Sequence, residues 1–219
     1  IKKVTVNIGD VSLFRQLIES LKIPERWKLR LIRHFWRPDY FEDLLNRLET
    51  NSDIDPIAVN FDKKRFSEMK KLDPNAEIAG RKISEILSRF DKKIRDPRSF
   101  AEGKKTAKII RNFLKISCPI EQMDRYLKNF FEKNNIKKDA IKNTLPVKSL
   151  PKNGYKIIFS TNFGRNIEYY TGMVFEISAL KKEIARGGRY DDLLKSLGSK
   201  KNVSAVGAAI NLKNLSRVV

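Results

Sequence analysis

The stretch F-G-R-N-I-E-Y-Y-T-G-M-V-F-E, residues 163–176, determines how the rest of the sequence is interpreted. Apolar and polar residues alternate from Tyr170 to Ile177, which predicts a strand over 169–178 with one face on a core. Tyr169 and Tyr170 would then point to opposite faces, so that one packs and the other meets a ligand. Arg165 could pair with a ligand carboxylate, and a tyrosine hydroxyl with an amine or ring nitrogen. The same residues also fit an amphipathic strand whose tyrosines only satisfy their own hydroxyl groups.

The size and charge of the sequence limit the classes of protein to consider. Its 219 residues are enough for one large domain with a buried core. Because it begins at Ile1, inside an apparent strand, we expect it to be part of a longer protein. The formal net charge of +20 is compatible with a nucleic acid or an acidic protein surface as partner. The basic residues are scattered and form no dense tail or RNA-binding motif, so charge alone does not favour nucleic acid.

The sequence contains few of the residues that form metal sites or histidine-dependent catalytic triads. Cys118 is the only cysteine and His34 the only histidine, which excludes an internal disulfide framework and a cysteine metal site. Both are interpreted as structural residues of helical segments. No apolar run approaches the roughly 20 residues that span a membrane, and no signal peptide is visible. We therefore expect a protein of the reducing cytoplasm that does not enter a membrane.

The chain begins with a strand, continues through a long helical block and ends with a group of strands. Four segments have the pattern of strands: 4–8, 155–160, 169–178 and 203–210. The last is predicted to be buried, with Gly207 allowing close approach of the backbone. Residues 181–185 are interpreted as leading in from a turn, and 190–197 as a helix with inward leucines. This order predicts an α+β fold, an antiparallel sheet flanked by helices on one side.

Helices are predicted wherever apolar residues recur with helical spacing. Asp10 is a good N-cap for the first of them, and Pro24 and Gly80 are interpreted as the starts of two others. A helix is also predicted over 99–115, whereas 57–74 is interpreted as a short helix within loops. The apolar residues of five predicted helices, in chain order, are Phe14, Leu17, Ile18 and Leu21; Trp27, Leu31 and Phe35; Phe41, Leu44, Leu45 and Leu48; Ile83, Ile86, Leu87, Phe90 and Ile94; Met123, Leu127, Phe130 and Phe131.

Three motifs in a fixed order carry a resemblance to a known family. They are R-x-x-E-Y-Y-T-G-x-V-F-E at 165–176, G-G-R-Y-D at 187–191 and A-V-G-A-A-I at 205–210. The series resembles the catalytic core of histidyl-tRNA synthetases, which have a class II synthetase fold. The tyrosine pair is similar to that family's histidine-recognition motif, and 203–215 takes the place of class II motif 3.

One departure from that family concerns ATP. Motif 3 of active synthetases continues as Gly-Leu-Glu-Arg, and its arginine clamps the ATP phosphates. Here residues 211–214 are Asn-Leu-Lys-Asn, so that Asn214 stands at the arginine position. A neutral amide cannot replace a bidentate guanidinium against a polyphosphate, and losing such a group costs about 3 kcal/mol of transition-state stabilisation. The resemblance therefore implies a protein that has lost this chemistry.

The N-terminal half is similar to the ATP phosphoribosyltransferase regulatory subunits. The segments that carry this likeness are 9–14, 24–27, 33–38 and 79–86. It implies a non-catalytic subunit that joins and activates the short-form catalytic subunit in the first step of histidine biosynthesis. It also implies feedback inhibition by L-histidine as an allosteric ligand, no cofactor, and self-association.

By this resemblance, residues 1–219 are the C-terminal part of one class II-like domain, without motifs 1 and 2. Its strand lies in 1–10, its helical block in 11–150 and its later strands in 151–219. Two alternatives stay open, a divergent histidyl-tRNA synthetase and a tRNA-binding paralogue without catalysis.

The resemblance also implies a set of histidine contacts. Arg165 would meet the ligand carboxylate and a tyrosine hydroxyl its imidazole, while Asp191 would cap the helix over 190–197. No catalytic residue and no metal site are expected. The implied contacts are Arg165, Glu168, Tyr169, Tyr170, Thr171 and Arg189, with Gly187, Gly188 and Gly207 shaping the pocket.

Overall fold

The computed structural model describes residues 4–51, 56–96, 98–137, 145, 155–201 and 203–218. The chain forms two compact units. The sheet unit comprises Ile1–Leu21, Phe35–Pro38 and Ile109–Val219. The helical unit comprises Lys22–His34 and Asp39–Lys108. Within these described ranges, no helix has the length and hydropathy needed to cross a membrane.

The helices and strands follow one another in the order that the sequence predicts, with additions. The strands are β1 Val4–Asp10, β2 Glu77–Ile78, β3 Arg81–Lys82, β4 Ser117–Pro119, β5 Tyr155–Ser160, β6 Met173–Ala179, β7 Lys182–Arg189 and β8 Val206–Ile210. The helices are α1 Val11–Ser20, α2 Glu25–His34, α3 Pro38–Thr50, α4 Pro56–Met69, α5 Ile83–Ile94, α6 Phe100–Leu114, α7 Met123–Lys133, α8 Leu193–Ser196 and α9 Leu212–Leu215, with a 3-10 turn at Ile120–Gln122.

The sheet unit is built on a six-stranded sheet in the order β4-β5-β1-β6-β7-β8. Among the strands of the described residues, only β1 and β5 run parallel, and every other neighbouring pair in this sheet is antiparallel. A bulge interrupts the β6–β7 ladder between Ile177 and Ser178. The predicted α+β fold is therefore confirmed, and its predicted antiparallel sheet is antiparallel except at the β1–β5 pair.

Helix α1 forms as the sequence predicts because Asp10 caps it. The Asp10 carboxylate accepts a hydrogen bond from the Ser12 backbone N–H at 2.8 Å, which satisfies one of the free donors at the helix N-terminus. The apolar stripe of α1 is buried, and its Phe14 ring stacks on Phe35 with centroids 3.8 Å apart. This packing fixes the chain where it leaves β1.

Two strand predictions are wrong in extent or environment, and two strands of the six-stranded sheet were not predicted. The segment predicted as a strand over 169–178 enters the sheet only at Met173. Residues 181–185 were predicted to lead in from a turn, but Lys182–Arg189 form β7, and β4 was not predicted either. Strand β8 is the edge of the sheet and is not buried, since Val206 and Ile210 are 70% and 59% exposed. Its apolar composition suggested burial, but composition alone does not reveal a strand's place in a sheet.

The predicted helix over 190–197 is also largely wrong. Only Leu193–Ser196 is helical, and Leu194 and Leu197 are exposed instead of facing a core. Gly198 follows with φ at +97°, a conformation that ends a helix and suits glycine.

The helical unit confirms the predicted apolar stripes of α2 and α3. Its core contains Trp27 and Leu31 from α2 with Phe41, Leu44, Leu45 and Leu48 from α3. Residues 57–74, predicted as a short helix within loops, instead contribute most of the 14-residue helix α4. Gly80 does not start a helix, because Ala79 and Gly80 form the turn between β2 and β3, with φ at +50° and +73°.

A buried ionic cluster lies beside this core. The Asp96 Oδ2 atom accepts hydrogen bonds from Arg26 Nη2 at 2.6 Å and Trp27 Nε1 at 2.9 Å. Arg98 Nε lies 3.3 Å from the same oxygen, and its guanidinium lies 4.3 Å from the Trp27 ring centroid. The single carboxylate therefore joins the start of α2 to the segment between α5 and α6.

Candidate functional site

Three glycines and a valine form one row across the sheet. The strand register places Gly9 opposite Val174, Val174 opposite Gly188, and Gly188 opposite Gly207. We call these four residues the glycine row. A Cβ atom added at Gly9 would lie 2.7 Å from the Phe163 carbonyl oxygen. The segment that follows β5 therefore passes directly over the backbone of β1, which only glycine allows.

Two tyrosine rings lie on the other glycines of the row. A Cβ at Gly188 would be 2.7 Å from Cε1 of Tyr170, and one at Gly207 would be 2.3 Å from the hydroxyl oxygen of Tyr190. Gly207 therefore does allow a close approach, as predicted, but the group that approaches its backbone is the Tyr190 side chain. The glycine row is the floor of the candidate site, and aromatic side chains cover it.

The tyrosines form one cluster above the row. The Tyr169 and Tyr170 ring centroids are 4.9 Å apart, and Tyr190 contacts Tyr169 edge-to-face at 5.8 Å. The prediction that Tyr169 and Tyr170 point to opposite faces is therefore wrong, because both precede β6 and do not alternate as strand residues do. Burial, and then the neighbouring Tyr169, raises the pKa of Tyr170 above its ordinary value. Like an ordinary phenol, the Tyr170 hydroxyl is protonated at neutral pH and can donate a hydrogen bond.

A cleft of about 200 Å³ opens beside the glycine row. Two of the nine residues predicted to form the site, Tyr170 and Gly187, line it. Its polar lining also includes Glu176 and Arg186, which face each other across β6 and β7. The remaining lining residues are Asn162, Phe163, Gly164, Asn166, Ile167, Val174 and Phe175.

Thr171 and Arg189 hold the tyrosine segment, which contains Tyr169 and Tyr170, against the end of β7. The Thr171 backbone N–H donates to the Arg189 carbonyl oxygen at 2.9 Å, and the Asp191 N–H donates to Thr171 Oγ1 at 3.0 Å. Arg189 Nε donates to Asp191 Oδ2 at 2.7 Å, which holds the pKa of that carboxyl below its usual range. Asp191 also accepts from the Ala205 N–H at 3.0 Å. The predicted helix cap is therefore wrong, and Asp191 instead connects β7 to the chain before β8.

Arg165 and Glu168 do not line the cleft. Arg165 is only 7% exposed; its Nε donates to the Phe35 carbonyl oxygen at 2.9 Å and its Nη1 to Asn162 Oδ1 at 3.0 Å. Its guanidinium also lies 4.8 Å from the Phe35 ring centroid. Glu168 is exposed. The histidine contacts implied for these two residues stay predictions, and the structure gives Arg165 a packing role as well.

Arg186 lines the cleft but is not among the residues predicted to form the site. Its Nε donates to Glu183 Oε1 at 2.8 Å and its Nη2 to Glu183 Oε2, a bidentate pair that raises the pKa of Arg186 and lowers that of Glu183. The signal was available in K-E-I-A-R-G-G-R, residues 182–189, once that segment is recognised as a strand paired with β6.

Asn214, at the position of the motif 3 arginine, has a structural role. Its side-chain Nδ2 donates to the Glu183 carbonyl oxygen at 2.8 Å, and its backbone N–H donates to Asn211 Oδ1 at 3.0 Å. The amide thus attaches α9 to β7.

The two other residues of chemical interest lie away from the cleft lining. Cys118 is buried on β4, and burial raises the pKa of its thiol, which keeps it protonated and unreactive. His34 contacts Tyr40 edge-to-face at 4.8 Å. Among the residues that the structure describes, no group of His, Cys, Asp and Glu could hold a metal ion.

Replacing Gly188 with alanine should lower the free energy of unfolding by about 1–3 kcal/mol, the usual cost of overpacking. The new Cβ would lie 2.7 Å from the Tyr170 ring and 2.8 Å from the Met173 carbonyl oxygen. Denaturation in guanidinium chloride measures the loss. Gly172→Ala is the matched control, because its Cβ would meet only the Arg189 side chain, at 3.2 Å from Cδ, which can move. Equal losses for the two variants would contradict the proposed close packing at Gly188.

The chain is similar in sequence to curated proteins. The regulatory subunit of ATP phosphoribosyltransferase from Sinorhizobium fredii is 27% identical over 240 residues, covering 100% of this chain and 63% of that protein. The protein of the same name from Mesorhizobium japonicum is 28% identical, covering 98% and 62%. The chain thus spans less than two thirds of the length of these relatives.

Solved structures resemble the chain more distantly. Histidyl-tRNA synthetase from Nostoc sp. PCC 7120 aligns with a TM-score of 0.47 at 16% identity, covering 99% of this chain and 42% of that one. An ATP phosphoribosyl transferase (HisG:HisZ) complex from Thermotoga maritima gives 0.36 at 16% identity, covering 96% and 54%. A family model described as Histidyl-tRNA synthetase matches residues 1–215. The chain therefore belongs to the histidyl-tRNA synthetase family.

Proposed function

We propose that this chain is part of a non-catalytic regulatory subunit of ATP phosphoribosyltransferase. The observation that carries the proposal is Asn214, which stands where active synthetases of the family have a phosphate-clamping arginine. Its amide donates to the Glu183 carbonyl oxygen and so belongs to the fold. The names of the curated relatives support the same assignment.

In this role the protein joins the short-form catalytic subunit, which condenses ATP with phosphoribosyl pyrophosphate. It raises the activity of that subunit, and L-histidine, the end product of the pathway, inhibits the complex. Histidine achieves this by binding one state of the complex more tightly than another, a coupling free energy of about 1–3 kcal/mol. The subunit works in the cytoplasm, associates with itself, and needs no cofactor of its own.

The cleft beside the glycine row is the proposed histidine site. Its volume of about 200 Å³ lies below the range of about 300–1,000 Å³ typical of pockets for drug-sized ligands. An amino acid suits this volume better than a nucleotide does. Tyr170 supplies an aromatic surface and a hydroxyl that donates at neutral pH, and both suit an imidazole ring.

Mixing the protein with the short catalytic subunit should raise the rate of phosphoribosyl transfer above that of the catalytic subunit alone, and adding L-histidine should lower it again. The measurement is a phosphoribosyltransferase assay on the co-purified complex, with the catalytic subunit by itself as the control. No gain in rate on mixing would overturn the regulatory assignment.

Two alternatives, a divergent synthetase and a tRNA-binding paralogue, are compatible with the net charge of +20. A divergent synthetase would show histidine-dependent exchange of pyrophosphate into ATP. A tRNA-binding paralogue would retain tRNA on a filter across a salt series, with affinity falling as salt rises.

A further inference from the structure

A second row of residues crosses the sheet next to the glycine row. The register aligns Asn7 on β1, Glu176 on β6, Arg186 on β7 and Ala209 on β8. Because side chains two positions apart on a strand share a face, this row lies on the same face as Val174 and its neighbours. The tyrosine segment covers the glycine row, whereas Glu176 and Arg186 line the cleft.

The two charges of this row are not equivalent. Glu183 already neutralises the Arg186 guanidinium through two hydrogen bonds, one of them 2.8 Å between Nε and Oε1. Glu176 is half-buried. Across the described part of the chain, its carboxylate makes no hydrogen bond or ion pair, although it lies close enough to Arg186 to raise the pKa of that group. Arg186 is thus shared between Glu183, which it binds directly, and Glu176, so its single positive charge does not fully offset the Glu176 carboxylate in the cleft.

A half-buried carboxylate in a cleft attracts a cation more strongly than one on an open surface, because less water screens it. The Tyr170 ring, which also lines the cleft, adds a face that favours a cation. The side-chain amides of Asn162 and Asn166 offer further neutral hydrogen bonds. The lining is therefore better suited to the amine of an amino acid than to its carboxylate.

We propose that Glu176 recognises the cationic amine of the ligand and thereby determines the specificity of the cleft. The ligand class is an imidazole compound with a charged amine. A carboxylate on the ligand contributes less to binding than the amine does. The inference rests on the proposed function, because it takes this cleft as the histidine site.

A ligand series on the unaltered protein tests the inference without any substitution. Calorimetric titration compares L-histidine with L-histidinol, which keeps the amine and lacks the carboxylate, and with imidazole-4-propionate, which lacks the amine. We expect histidinol to bind within about threefold of histidine and the propionate to bind about tenfold or more weakly. Equal binding of histidine and the propionate would overturn the inference.

The variant Glu176→Gln keeps the shape of the side chain and removes its charge. The variant should bind histidine and histidinol about tenfold more weakly than the unaltered protein does. It should then bind these two ligands no more tightly than it binds the propionate. The matched control is Glu132→Gln, an exposed carboxylate on α7 of the same unit, which should leave all three affinities unchanged. Unchanged selectivity in Glu176→Gln would overturn the assignment of this residue.

The outcome can be separated from that of the regulatory assignment. If the protein activates the catalytic subunit but binds no histidine, the specificity inference fails and the activating role stands. If it binds the series with the expected order but does not activate, the cleft is assigned correctly and the regulatory role fails.

Discussion

Replacing Asp96 with alanine is expected to lower the free energy of unfolding of the helical unit by about 3–5 kcal/mol, the cost of breaking a buried ion pair. The Asp96 side chain is 7% exposed and that of Arg98 is 2% exposed. Removing the carboxylate leaves Arg98 without this counter-charge beside the Trp27 ring. It also takes away the acceptor of the Trp27 indole N–H and one acceptor of Arg26.

The loss of stability in Asp96→Ala can be measured from the fluorescence of Trp27. The sequence contains two tryptophans, so a Trp36→Phe background leaves the emission of Trp27 alone as the signal during guanidinium denaturation. The matched control is Asp91→Ala, which removes a carboxylate paired with Arg95 on the surface of α5. Exposed pairs of this kind contribute about 0.3–0.5 kcal/mol. A loss in Asp96→Ala no larger than that of the control would show that the cluster does not stabilise the unit.

The sequence predicts those elements whose information is local. The N-cap of α1 needs only Asp10 and the apolar spacing that follows it, and both are confirmed. The stripes of α2, α3 and α7 are confirmed for the same reason, since helical periodicity is contained within one segment. The expectation that the chain is part of a single class II-like domain stays a prediction.

The glycine row could not be predicted in this way. It joins positions 9, 174, 188 and 207, and only the pairing of four strands brings them together. Gly187, Gly188 and Gly207 were implied by the family resemblance as pocket-shaping residues. The structure supplies the physical reason for two of them, since Gly188 and Gly207 accommodate tyrosine rings.

The errors around the tyrosine segment have a common cause. Alternation from Tyr170 to Ile177 is a genuine strand signal, but the ladder with β1 begins at Met173. Before that point Thr171 bonds to the end of β7, which takes Tyr169 and Tyr170 out of the strand pattern. Missing β7 as a strand also concealed Arg186, because its position opposite Glu176 depends on that pairing.

Replacing Arg165 with methionine is expected to lower the free energy of unfolding by about 3 kcal/mol, since each hydrogen bond to a buried charged group contributes about 1.5–3 kcal/mol. The substitution removes the bonds to the Phe35 carbonyl oxygen and to Asn162, while methionine keeps much of the side-chain volume. It also removes the charge above the Phe35 ring, which stacks on Phe14. Urea denaturation measures the loss.

Arg189→Met is the control, because Arg189 was also predicted to contact histidine but forms a half-exposed ion pair with Asp191. Such a pair contributes under about 1 kcal/mol, so this variant should remain close to the unaltered protein in stability. Histidine calorimetry on both variants then separates the two roles of Arg165. A loss of histidine binding with unchanged stability would make Arg165 a ligand contact and contradict its packing role. A loss of stability that Arg189→Met does not share would show that Arg165 holds the segment before the tyrosines to Phe35, and so acts on the site through the fold.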